Sequence, residues 1–171
     1  MTTTIIDDVL QPNLRVVFCG TALGNASAMA KAYYAHPRSL FWDTLHEIGL
    51  TWADAPLLPH EYRRALDFGI GLTDLCKSAS GNDADLPPGA FDVHALREKI
   101  DQCRPLFLAF TSKRAGRAFC GSKVELGWQQ PLASGTKLYI LPSTSPNARW
   151  QWKEHKHHWT VLADAVRAAG G

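Results

Sequence analysis

Four stretches of the chain are apolar without alternation: 14–19 (LRVVFC), 69–76 (GIGLTDLC), 105–111 (PLFLAFT) and 137–142 (KLYILP). A strand covered on one face alternates apolar with polar residues, whereas a continuous run fits a strand buried on both faces, as in a parallel sheet. The segments between them carry helical spacing. Leu40, Phe41, Leu45 and Ile48 fall near one face of a helix over 39–48, with Gly49 as its stop. A short helix is expected over 59–69. An amphipathic helix over 93–103 has Asp92 as its N-cap, and further helices are expected over 112–120 and 155–169. Residues 20–28 and 77–89, rich in Gly, Ser, Asp and Pro, read as loops. Strands that alternate with helices predict an α/β fold, a three-layer α/β/α sandwich around a short, mostly parallel four-stranded sheet. With no repeat and no linker, residues 1–171 read as one domain, expected to be monomeric.

Composition narrows the function classes. No apolar run reaches the ~18 residues of a membrane span. The opening MTTTIIDDVLQPN lacks the basic start and long apolar stretch of a secretory leader, so a cytoplasmic location is expected. Cys19, Cys76, Cys103 and Cys120 are scattered with no CxxC pair, which points to free thiols. His155, His157 and His158 lack zinc-site spacing and read as a polar helix start. No metal and no cofactor are expected. The net charge of +2 says little, but SKRAGR (112–117) and NARWQWKEHKHHW (147–159) are locally basic, as phosphate-seating segments are.

Parallel sheets bind ligands beyond the carboxyl ends of their strands. That directs attention to 20–28, 73–83, 111–114 and 142–149. GTALG (20–24) contains glycines that admit close backbone approach, yet it is neither GxGxxG nor a Walker loop. LPSTSPNAR (141–149) combines hydroxyls, turn residues and an arginine, the inventory of a phosphate-gripping loop. AYYAHPRSLFWDTL (32–45) crowds aromatic and basic residues before a helix.

Taken in order, LRVVFCG, YYAHPRSLFW, GIGLTDL, TSKRAG and LPSTSPNAR resemble the uracil-DNA glycosylase superfamily over residues 12–150. The chain looks most like the mismatch-specific uracil/thymine branch, while YYAHPR and STSP look as much like the hypoxanthine branch. The resemblance implies an enzyme that flips a base out of DNA and hydrolyses its N-glycosidic bond, leaving an abasic site. Its partner would be DNA containing uracil or another deaminated base. The loop Gly20, Thr21, Ala22, Leu23 would lie beside the flipped base, Tyr34 would be the stacking platform, and His36 would shape the pocket wall. Asp74 would meet the Watson–Crick edge, where several members carry asparagine; as a carboxylate it accepts from N3–H but cannot donate to O4. Ser143 would face the leaving base. Ser27, Arg38, Ser112, Lys113, Ser145, Pro146, Asn147 and Arg149 would contact DNA, with Asn147 where relatives place a leucine wedge. Gly24 replaces a tyrosine that in some members excludes thymine's methyl group.

The resemblance breaks at the chemistry. Ala22, Ser39 and Ser143 stand at the positions where relatives carry their usual polar catalytic groups. A displaced group is therefore expected, with Asp43, Asn25 and Asp74 as candidates and Asp83 as a fourth. Asp43 is proposed because it lies four residues after Ser39, on the same face if both are helical. The alternative is a protein that binds DNA without cutting the glycosidic bond.

Overall fold

The computed structural model describes residues 3–170; Met1, Thr2 and Gly171, the ends of the expected 1–171 domain, lie outside them. A five-stranded sheet runs through the centre in the order β2-β1-β3-β5-β4. Strands β1 (Val16–Gly20), β2 (Ile70–Asp74), β3 (Phe107–Phe110) and β5 (Lys137–Ile140) are parallel, as their uninterrupted apolar runs predict. The fifth strand, β4 (Gly127–Gln129), pairs antiparallel with β5 at one edge. Four strands were expected. Three half-exposed residues carry no period that would reveal β4, which exists through its partner.

The pleat divides the core. Val16 and Phe18 of β1 join one apolar cluster, which holds Phe41, Leu45 and Trp159. Val17 and Cys19 join the other, which holds Leu96, Ile100 and Phe119. The first side is covered by α2 (Phe41–Glu47), a 3-10 segment Pro59–Phe68 and the C-terminal α6 (His157–Gly170). The second is covered by α3 (Val93–Cys103), capped by the Asp92 side chain as expected, and α4 (Lys113–Cys120). Gly116 of α4 lies directly on Ile140, so any side chain there would lift the helix off the sheet.

Two expectations are corrected. Residues 25–30 of the expected 20–28 loop form a helix, α1 (Asn25–Ala30), too short and too small-residued to show a period. The short helix expected at 59–69 is present and is of the 3-10 type, Pro59–Phe68. The C-terminal helix begins earlier and is broken, with α5 (Arg149–His155) preceding α6. No described helix is long and apolar enough to cross a membrane.

Candidate active site

Where β1, β2 and β3 end, the register sets Gly20 beside Asp74, and Thr111 follows β3 immediately. Loops from these ends and from β5 enclose a cavity of about 360 Å³. Its floor is polar and buried. Asp74 is 5% exposed, and its Oδ2 has no hydrogen-bond partner among the described residues. Its Oδ1 lies 2.8 Å from where a Cβ on Gly20 would sit, so position 20 must be glycine for the carboxyl to fit. Burial pushes the Asp74 carboxyl up to about 7, and Asp8 adds to the rise; Lys77, the Gly20 N–H and Lys99 oppose it. Behind the floor, Asp8 receives Lys77 at 2.9 Å, Lys99 at 2.7 Å and the Thr73 hydroxyl at 2.7 Å. Burial alone would raise the Asp8 carboxyl, but these cations and donors outweigh it and hold it below the usual range.

Tyr34 forms one wall. Its ring stacks on Phe41 with centroids 3.7 Å apart and planes at 13°, and its hydroxyl sits 3.2 Å from Thr111 Oγ1. Phe41 covers one face of the ring, and Tyr34 lines the cavity. The backbone of Tyr34 is left-handed (φ 53°), a conformation an aromatic residue adopts only where its surroundings impose it. Here the stack on Phe41 and the contact with Thr111 supply that constraint.

The rim is made of loops tied to one another. The Thr21 hydroxyl donates to Asp83 Oδ1 at 2.8 Å, across 62 positions of sequence. Asn147 Nδ2 donates to Asn82 Oδ1 at 3.2 Å, joining the loop after β5 to the loop after β2. Backbone bonds from Cys76 N–H to Thr21 O (2.7 Å) and from Gly81 N–H to Leu23 O (2.9 Å) zip the first two loops together. His36 Nδ1 accepts from the Arg38 N–H at 3.0 Å, which leaves the ring proton of neutral His36 on Nε2 as a donor.

Most residues singled out from the sequence meet at this cavity. Gly20, Thr21, Ala22, Leu23, Gly24, Tyr34, His36, Asp74 and Ser143 all line it, as do Ser27, Ser112, Ser145, Pro146 and Asn147. Three of these are less free than a DNA contact needs. Ser27 is buried and accepts the Ala35 N–H, and Ser112 caps α4 through Ala115 N–H. Asn147 is held by Asn82, so its amide is already engaged. Arg38 and Arg149 are exposed, and Lys113 pairs with Glu125 at 2.7 Å.

Among the catalytic candidates only Asp74 and Asp83 line the cavity. The reasoning for Asp43 fails: Ser39 precedes the first helical residue, Phe41, and Phe41, Trp42, Thr44 and Leu45 take the buried face, leaving Asp43 in solvent. Asn25 begins α1 and accepts from Ser80 at 3.2 Å, outside the lining. Thr111, Thr144 and Asn82, not singled out from the sequence, also line the cavity. Thr111 directly follows an apolar strand end, which was the signal available for it. Among the described residues no group of three His, Cys, Asp or Glu could hold a metal; His158 instead faces the Tyr139 hydroxyl at 2.7 Å.

The family model described as the uracil DNA glycosylase superfamily matches residues 8–166. The chain belongs to that superfamily. Its fold is also similar to the solution NMR structure of a candidate uracil DNA glycosylase from Methanosarcina acetivorans, with a TM-score of 0.68 and 20% identity over 95% of this chain and 96% of that one. The strand-end cavity is therefore the place to look for glycosylase chemistry on DNA.

Proposed function

We propose that the protein is a monofunctional DNA glycosylase that takes a flipped uracil into the strand-end cavity and hydrolyses its N-glycosidic bond. The observation that carries this reading is the cavity itself, with a buried carboxyl on its floor, an aromatic wall and a carboxylate on its rim. A base entering between the loops meets Tyr34 on one side and Asp74 with its edge, leaving the sugar at the rim. There Asp83 takes the role left vacant at Ala22, Ser39 and Ser143. Its carboxylate, held by Thr21, faces the sugar, stabilises the positive charge that develops at C1′ and orients a water.

In the reaction the C1′–N1 bond breaks and its electron pair leaves with uracil. The water oxygen bonds C1′ and its proton passes to Asp83. The uracil anion spreads its charge over its ring carbonyls, and Nε2–H of His36 is a donor at the wall for that charge. The lining includes no lysine among the described residues, so it lacks the amine on which a lyase would form a Schiff base, which favours hydrolysis.

The test is cleavage of labelled oligonucleotides carrying one uracil or one hypoxanthine, single- and double-stranded, with alkali to break abasic sites. Cleavage at uracil supports the reading. Cleavage at hypoxanthine alone would move the assignment to deaminated purines. Binding without cleavage of any substrate would make the protein a DNA-binding relative.

A further inference from the structure

Past Ala148, which lines the cavity, the chain enters α5 and then turns into α6. Two side-chain contacts fix where this excursion lies. The Trp159 indole N–H donates to Pro142 O at 3.1 Å, and His158 Nδ1 lies 2.7 Å from the Tyr139 hydroxyl. Both partners belong to the last residues of β5 or to the loop just past it. Residues 149–158 therefore lie at the same end of the sheet as the cavity, and α5 continues its rim. Trp152 holds the helix down beside Trp159, with ring centroids 6.3 Å apart.

One side of α5 is basic. Arg149, Lys153 and the helical C-cap Lys156 are spaced four and three apart, which sets them on one face. All three are exposed. Among the described residues none of them has an ion pair, whereas Lys77, Lys99, Lys113, Arg117 and Arg64 each hold a carboxylate. The carboxylate of α5 itself, Glu154, falls on another side of the helix, 4.0 Å from His155. Glu47 of α2 shares a groove of about 240 Å³ with Lys153 and Lys156 and pairs with neither. Trp150 is 80% exposed, so the outer side of α5 is open as well as charged. Cations without a partner keep their charge for an anion from outside, and the row of them starts at the mouth of the cavity.

We propose, resting on the glycosylase reading, that α5 is a phosphate track for the DNA that flanks the lesion on one side. Arg149 takes the phosphate nearest the flipped base, and Lys153 and Lys156 follow the backbone outward. Helical rise places Lys156 about 10 Å beyond Arg149. Along a duplex that is the advance of about three base-pair steps. Phosphate contacts carry no sequence information, so the track adds affinity and fixes register without reading bases. The other helices that leave the rim offer no equivalent. α1 carries no cation, α2 carries Asp43 and Glu47 with no Lys or Arg, and Lys113 at the start of α4 is held by Glu125. The grip is therefore one-sided.

The experiment is duplex binding by the full chain, read by fluorescence anisotropy from about 50 to about 200 mM salt. The probe is a labelled duplex with one tetrahydrofuran abasic analogue, which has no base to release. The wild type is compared with Lys153→Gln/Lys156→Gln and with Arg104→Gln/Lys137→Gln, which removes two exposed cations at the opposite end of the sheet. Lys153→Gln/Lys156→Gln should lower the slope of log affinity against log salt by about 1.8, about 0.9 for each phosphate contact. The control pair should leave the slope where it is. Shortening the duplex on one side of the lesion should weaken wild-type binding far more than shortening it on the other, and the lysine variant should narrow that difference. Equal slopes in the wild type and the lysine variant, an equal drop in both double variants, no duplex binding, or equal losses from either flank would each overturn the proposal. Failure of the glycosylase reading would show separately, as no cleavage of uracil DNA by a wild type that still grips one flank through these lysines.

Discussion

The floor and the rim of the cavity each hold a carboxyl group, and the two differ in everything but chemistry. Asp74 ends β2, at one edge of the sheet, is 5% exposed and is set by its register beside Gly20. Asp83 sits in a short 3-10 turn of a loop, open to solvent, and is located by one hydroxyl, that of Thr21. Burial raises the Asp74 carboxyl. Two groups of the same chemistry in such different surroundings can divide the work at a site. The strand-borne group is rigid because the sheet is rigid. The loop-borne group depends on contacts between loops, which are easier to lose.

The largest expected effect therefore lies on the rim. Asp83→Asn should slow single-turnover base release by about 10²- to 10⁴-fold while leaving DNA affinity nearly unchanged. Thr21→Val, which removes the hydroxyl that holds Asp83, should show a smaller loss in the same direction. An unaffected rate in Asp83→Asn would place the catalytic group elsewhere.

Next comes the wall. Tyr34→Ala removes a stacking surface that contributes about 1–3 kcal/mol, so activity should fall about 5- to 150-fold. Tyr34→Phe, which keeps the ring and loses only the contact with Thr111, should lose far less. Equal losses in both variants would argue against stacking.

The floor should show itself in stability. Between the ordinary carboxyl value near 3.8 and about 7, folded Asp74 holds a proton that the unfolded chain has released. Stability contributed by this group is therefore greatest at acid pH, falls as pH rises through that window and is level above it. The span corresponds to a cost on the order of 4 kcal/mol at pH 8. Asp74→Asn should be more stable than the wild type at pH 8 by urea denaturation, with the gap closing towards pH 4. Asp83, exposed on its loop, should give no comparable gain when changed to Asn.

The smallest effects belong to the outer surface. Arg149→Gln should weaken duplex binding and lower the slope of log affinity against log salt by about 0.9. Lys113→Gln should do so less, because Glu125 already engages that ammonium.

The strands and their carboxyl ends were legible in the sequence because burial on both faces leaves an unbroken apolar run and each run stops at its loop. That reasoning points to the segments 20–28, 73–83, 111–114 and 142–149, and the family resemblance picks Asp74, Ser112 and Ser143 within them. What stayed hidden depends on contacts distant in sequence. Asp83 gains its place from a hydroxyl 62 residues away, and no local pattern marks it above the other acids of its loop. Asp43 follows Ser39 at helical spacing in the sequence, but the helix begins only at Phe41. The raised Asp74 carboxyl follows from burial, to which the charge of Asp8 adds, and Asp8 is carried by the N-terminal segment, which bridges Val9 to Leu72 of β2.

The most direct test of the account is release of free uracil from a duplex with a single uracil, followed under single-turnover conditions for the wild type and Asp83→Asn. The account predicts release by the wild type and a loss of at least about a hundredfold in the variant, with both binding the duplex alike. No release by the wild type, or equal release by both, would contradict it.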